Sequence, residues 1–200
     1  MKHIRNGVFL IVVTLVTLLV ALTAGPCPAQ VSGESVFDPG KLEPVATKPQ
    51  LKVGDKAPDF VLPSITGDTI RVSQYHGKKN VVLSFVPAAW TPVCSHQWPG
   101  YNIAKEFFDK NDAVLLGITV DNIPTLYAWT QEMGTLWFPV LSDFWPHGAA
   151  AKAYGILRPD GVSERALFII DKKGTIRFID VHDINTMPRL ENLIRELEKL

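Results

Sequence analysis

Only two of the 200 residues are cysteine, Cys27 and Cys94. A structural disulfide framework is therefore excluded, and so is a Cys-x-x-Cys redox pair. Charge of either sign is not in excess, with 20 Lys and Arg against 20 Asp and Glu. That balance gives no electrostatic case for nucleic acid or an anionic surface as partner. Histidines are few and scattered. His76, His147 and His182 stand alone, and Cys94-x-His96 supplies two ligands where a structural site needs about four. No metal site and no cofactor is expected. Internal repeats and low-complexity tracts are absent. One long apolar run exists, Val8 to Ala24, and it lies at the N-terminus.

That run follows a basic stretch, Lys2, His3 and Arg5, and precedes Cys27-Pro28-Ala29. The pattern resembles a secretory signal peptide, with cleavage expected after Ala29. The apolar stretch over residues 8–24 is also about long enough to stay in a bilayer as an anchor. Lipid attachment at Cys27 fits poorly, because Pro26 directly precedes it. Either main reading places the rest of the chain outside the cytoplasm. Removing residues 1–29 leaves 171 residues with 18 basic and 20 acidic side chains. Residues 30–50 are Pro-containing and aperiodic, a linker or extended arm. Residues 51–200 amount to one domain. A lone thiol in an oxidising compartment is either reactive or well buried.

The chemistry concentrates at that thiol. Asn80 to Val86 is a β-branched and aromatic run of strand length, and Pro87 ends it. Thr91-Pro92 is a helix-start signal, with Thr at the N-cap and Pro at the first helical position. Cys94 then falls in the first turn, near unpaired backbone N–H groups and the positive end of the helix dipole. Both favour thiolate over thiol. The competing reading is a small buried hydrophobe, the common fate of a free cysteine. Thr91 occupies the position where a redox pair would carry its first cysteine.

Pro87-x-x-x-Thr91-x-x-Cys94 resembles the Pro-x-x-x-Thr-x-x-Cys signature of the peroxiredoxins, the alkyl hydroperoxide reductase and thiol-specific antioxidant family. The flanking Phe85-Val86-Pro87-Ala88-Ala89-Trp90 is similar too. Glu164-Arg165-Ala166-Leu167-Phe168-Ile169-Ile170-Asp171 resembles the segment that carries the family's active-site arginine. The resemblance runs from about Leu51 to the C-terminus. It implies a peroxidase that reduces hydrogen peroxide or organic hydroperoxides. Cys94 would be the nucleophile and become a sulfenic acid. Thr91 would hydrogen-bond the sulfur and the peroxide, Pro87 would shield the sulfur, and Arg165 would be the fixed positive charge beside it. Val93 would join Thr91, Cys94 and Arg165 in holding the peroxide. No cysteine follows Cys94, so an external thiol, a thioredoxin-like protein or a small molecule, is implied as reductant. The resemblance also implies a homodimer.

Strand and helix patterns alternate through the domain. Asp59 to Leu62 and Thr69 to Val72 flank the turn Thr66-Gly67-Asp68 as a hairpin. The Cys94 helix, begun at Pro92, is expected to run to about Lys110. Ala113 to Val120 reads as a buried strand, Pro124 to Glu132 as a helix, Phe138 to Leu141 as a strand and Gly148 to Tyr154 as a helix. Ala166 to Ile170 and Ile176 to Ile179 flank Lys172-Lys173-Gly174 as a second hairpin. Pro188 to Leu200 is helical, with Leu190, Leu193, Ile194 and Leu197 on one face. The order is α/β and resembles a thioredoxin fold with peroxiredoxin insertions, a central mixed β-sheet flanked by helices. Asp121 is expected to cap the helix after it. Most of the tryptophans are expected to pack in the core, with Trp90 and Trp145 as candidates to line the peroxide pocket or a dimer contact. Trp145 belongs to Asp143-Phe144-Trp145-Pro146-His147-Gly148, similar to the family's Ser-Asp-Phe loop with Trp-Pro-His added.

Two other functions remain open at this level. One is an envelope thiol–disulfide oxidoreductase, which the missing Cys-x-x-Cys disfavours. The other is a thioredoxin-like binding module with an inert Cys94, which predicts slow alkylation at neutral pH.

Overall fold

A computed structural model describes residues 35–200. The expected signal or anchor segment, with Cys27, lies outside the described residues. Among the described residues no helix is long and apolar enough to cross a membrane.

The central strand is β3 (Asn80–Phe85), every residue of which is buried. It pairs in parallel with β4 (Ala113–Thr119) and antiparallel with β6 (Arg165–Ile170). β5 (Val140–Ser142) extends the β4 side, and β7 (Ile176–His182) the β6 side, for the order β5-β4-β3-β6-β7. A small separate sheet pairs β1 (Val61–Pro63) with β2 (Thr69–Arg71), the expected first hairpin.

The two-residue period of β3 divides the core. Val81, Leu83 and Phe85 enter one apolar cluster, with Leu116, Tyr154 and Phe168. Val82 and Val86 enter the other, with Trp98, Trp129 and Leu167. Ser84 shares the second face. On β6 the same alternation sends Leu167 and Ile169 to the second face and Ala166, Phe168 and Ile170 to the first. Arg165 therefore stands on the Leu167 face. Because Phe85 is registered with Ala166, it also stands level with the point where the chain leaves β3 for the Cys94 helix.

That helix, α1 (Pro92–Gly100), begins where the sequence placed it, with Thr91 as N-cap in extended conformation and Pro92 at the start. It does not run on to Lys110. Pro99 cannot donate a backbone N–H and its ring crowds the carbonyl one turn back, and Gly100 is a poor helix former. The chain passes through a 3₁₀ turn, Asn102–Ala104, and resumes as α2 (Lys105–Lys110). α3 (Ile123–Met133), α4 (Ala149–Ala153) and α5 (Leu190–Leu197) follow, close to expectation. Leu193 and Leu197 of α5 are buried in the second cluster, and Leu190 and Ile194 pack against it.

β7 is longer than its apolar stretch. Its polar end, Asp180 to His182, keeps pairing until His182 lies opposite Arg165. Residues 35–50 are not a free linker. They form an extended arm bonded to the domain, with Ala46 and Thr47 N–H groups donating to Glu164 Oε1 at 2.7 and 2.8 Å.

Candidate active site

Cys94 sits in the first turn of α1 and is 1% exposed. It is the free cysteine among the described residues. Arg165, equally buried, approaches it from β6, with Nη2 donating to Sγ at 3.4 Å. The helix start and the strand start, 71 residues apart in sequence, meet because β3 and β6 are neighbours.

Arg165 is held on three sides. Its Nε and Nη2 donate to the Ile184 carbonyl at 3.3 and 3.0 Å. Nη1 donates to Gln97 Oε1 at 2.5 Å. An arginine only donates, so the Gln97 amide orientation is fixed. Its Nε2 then points the other way, to Tyr101 Oη at 2.9 Å and Ser84 Oγ at 3.3 Å. Trp98 Nε1 also donates to Ser84 Oγ, at 3.2 Å. Burial pushes the Tyr101 phenol up to about 12, with the Gln97 hydrogen bond opposing it, so the network contains a neutral hydroxyl at ordinary pH.

None of the ion pairs among the described residues involves Arg165. A guanidinium does not lose its proton in a protein, and a buried charge without a partner is costly. The one group in contact with it that can carry the opposite charge is the Cys94 sulfur. The geometry thus sets a fixed cation against the thiol.

A cavity of ≈ 560 Å³ opens onto this pair, and Pro87, Thr91, Val93, Cys94 and Arg165 all line it. The five residues singled out from the sequence are thus brought to one place. One detail differs. The Thr91 hydroxyl donates to the Ala88 carbonyl at 3.0 Å rather than to the sulfur, because the loop folds back within reach of it. The oxygen's lone pairs remain as acceptors.

Asp121 does not cap α3. Asn122 does, with Oδ1 accepting from Thr125 N–H at 3.0 Å. The Asp121 carboxylate turns to the active-site loop and accepts from Ala89 N–H at 2.8 Å. It thereby braces the loop between Pro87 and Thr91, in which Trp90 takes a left-handed φ of 59°. Such a backbone is disfavoured for a bulky residue and persists only where neighbours hold it. Neither Trp90 nor Trp145 lines the cavity. Trp90 packs on the second core cluster, while Trp145 is 80% exposed at the tip of its loop. His96 bonds back to the Pro92 carbonyl through Nδ1 at 2.7 Å. Among the described residues no cluster of three or more metal-ligating side chains occurs.

Sequence reasoning missed Gln97, Ser84 and Ile184. Ser84 and Gln97 were legible in principle, the one as a polar residue inside an apolar strand and the other as a polar residue buried on a helix. Ile184 acts through its backbone, which carries no sequence signal.

Residues 53–179 match the model of the AhpC/TSA family. Alkyl hydroperoxide reductase E of Mycobacterium tuberculosis is 38% identical over 132 residues, 66% of this chain and 86% of the relative. The chloroplastic 2-Cys peroxiredoxin BAS1 of Hordeum vulgare is 33% identical over 158 residues, 74% of each chain. Among solved structures, reduced 2-Cys peroxiredoxin of Plasmodium vivax superposes with a TM-score of 0.68 at 28% identity, covering 73% of this chain and 80% of that one. AhpC of Mycobacterium tuberculosis gives 0.68 at 26% identity, covering 75% and 93%.

Proposed function

The chain belongs to the AhpC/TSA family and is a thiol-dependent peroxidase of thioredoxin fold, and from that premise we propose that Cys94 is its peroxidatic residue. The observation that carries this is the buried Arg165 guanidinium, which contacts Cys94 Sγ and pairs with no carboxylate among the described residues.

The Cys94 thiolate attacks the distal oxygen of the hydroperoxide. An S–O bond forms, the O–O bond breaks, and the leaving oxygen takes a proton and departs as water or an alcohol. The sulfur loses two electrons and becomes a sulfenic acid. Arg165 stabilises negative charge twice, first on the sulfur and then on the leaving oxygen. The described contacts use four of its five N–H groups, which leaves one at Nη1 for the peroxide. Thr91 Oγ1, its own proton given to Ala88, accepts the peroxide's O–H. Pro87 and Val93 keep water from the sulfur.

A thiol then attacks the sulfenic sulfur, water leaves, and a second thiol releases Cys94 from the mixed disulfide. We assign both thiols to an external reductant, a thioredoxin-like protein or a small molecule, because Cys94 stands alone among the described residues. The same proposal includes a homodimer and export from the cytoplasm, the latter supported by the basic and apolar pattern of residues 2–29.

Stopped-flow oxidation of the full chain by one equivalent of hydrogen peroxide tests the assignment, read by Trp fluorescence and by mass. The expected result is a rate orders of magnitude above free cysteine, with sulfenic acid at Cys94 and none in Cys94→Ser. A rate like that of free cysteine would sink it in favour of an inert module. A Cys27–Cys94 disulfide as product would replace the external reductant with an internal one.

A further inference from the structure

The Ala88–Ala89 peptide joins two bonds that the active site needs. Its carbonyl takes the Thr91 hydroxyl proton at 3.0 Å, and its N–H is the one that Asp121 Oδ2 accepts at 2.8 Å. A peptide unit is planar and trans, so its N–H and C=O point in opposite directions as one rigid body. Whatever fixes the N–H therefore aims the carbonyl. An acceptor on the N–H also polarises the unit and strengthens the carbonyl as an acceptor. Asp121 thus stands at one end of a chain of bonds whose other end is the Thr91 hydroxyl.

Asp121 is itself fixed. Oδ2 also accepts from Thr119 Oγ1, which in turn accepts from Asp121 N–H at 3.2 Å. The Asp121 carbonyl accepts from Ser142 Oγ at 2.6 Å. Thr119 and Ser142 are buried and close β4 and β5, so the carboxylate is mounted on the sheet. The loop, by contrast, has to be held. Trp90 follows the peptide with its left-handed φ, and its carbonyl is pinned by Phe37 N–H at 2.7 Å. Relaxation of Trp90 to negative φ, the form its side chain prefers, would swing Thr91 relative to the sulfur.

We infer that Asp121 is a positioning residue of the peroxidase reaction. It acts through the Ala88–Ala89 peptide to keep the Thr91 proton on Ala88, and so presents the Thr91 oxygen to the peroxide O–H as an acceptor. The inference rests on Cys94 being the peroxidatic residue. Asp121 itself lies outside the cavity lining and touches no reacting atom. Without its carboxylate the peptide is free to turn, the hydroxyl rotates, and its proton confronts that of the peroxide.

The test reads two rates at Cys94 in the full chain, oxidation by hydrogen peroxide and alkylation by iodoacetamide at neutral pH. Alkylation depends on the thiolate and on access, and it needs no acceptor at Thr91. Asp121→Ala and Asp121→Leu are expected to lose about tenfold in the peroxide rate, the order of one net hydrogen bond, with alkylation unchanged. Asp121→Asn keeps an oxygen for Ala89 N–H and should recover most of that loss. In Thr91→Val the acceptor is already gone, so adding Asp121→Ala should slow oxidation no further. Additive losses, an alkylation rate that moves with the peroxide rate, an Asp121→Asn as slow as Asp121→Ala, or an unchanged peroxide rate each overturn the proposal. So does loss of the cooperative thermal melt in both Asp121→Ala and Asp121→Leu, which would make Asp121 a support of the whole domain. Those outcomes leave the peroxidase assignment standing. Wild-type oxidation no faster than that of free cysteine overturns the assignment, and this proposal with it.

Discussion

Gln97 Oε1 accepts from Arg165 Nη1 at 2.5 Å, so the guanidinium beside Cys94 is anchored by a neutral amide where a carboxylate would fit. Neutrality is the functional point. A carboxylate there would give Arg165 a second counter-ion and compete with the sulfur for its charge.

Gln97→Glu is therefore expected to slow peroxide oxidation of Cys94 by about tenfold, one unit of competing interaction, and to slow its alkylation at neutral pH in parallel. Gln97→Met, which removes the anchor without adding charge, should lower the peroxide rate less. Equal rates for Gln97→Glu and wild type would contradict the counter-ion argument.

Arg165→Met keeps apolar bulk and removes the donors. Loss of such a charge-stabilising group costs about 10²–10³ in rate, and that is the expected fall with hydrogen peroxide. Arg165→Lys restores a charge without the planar fork that spans Ile184, Gln97 and the sulfur, so its rate should lie between the two. Stopped-flow rates with matched thermal melts separate a chemical loss from an unfolded protein.

Gly117 of β4 lies under the indole of Trp98. A Cβ at that position would meet Trp98 Cζ2 at 2.9 Å and Phe138 Cε2 at 3.2 Å. The indole has nowhere to go, since it packs on Trp129 with ring centroids 5.2 Å apart and its N–H is bonded to Ser84. Gly117→Ala should destabilise by about 1–3 kcal/mol, the usual cost of overpacking, read from urea midpoints. An unchanged midpoint would mean that the two rings part easily.

Asp171 closes the turn between β6 and β7. Burial works to raise its carboxyl, but bonds from Thr175 N–H, Arg177 and Lys173 N–H outweigh it and hold the group below its usual value. A carboxyl lowered by folding stabilises above its unfolded value of about 3.9, and that contribution is lost as pH falls through the lower folded value. Asp171→Asn should therefore be less stable than wild type at neutral pH, and the gap should narrow below about pH 4. A gap that is constant with pH would show that the turn bonds, and not the charge, carry the effect.

Much of this molecule was legible beforehand because its signals are local. The strand Asn80–Phe85 announces itself by β-branching, and Thr91-Pro92 marks the helix start within three residues of the thiol. Arg165 was found through its resemblance to a known segment, since nothing local distinguishes it from an edge charge. The arm could not be read, because extended chain has no periodicity and its partners Glu164 and Asn185 lie 118 and 143 residues away. Asp121 was misassigned for a related reason. Asn122 beside it is an equally good cap, and only the folded loop reveals that Ala89 needs an acceptor.

The separation between Cys94 and its partners also has a meaning in time. On the ribosome the cysteine emerges 71 residues before Arg165, and the Ile184 carbonyl that aims the guanidinium comes later still. A nascent chain thus carries a thiol with no cation beside it, and the two are brought together only when the final hairpin closes. Chain order alone sets how late in synthesis thiol and cation can meet.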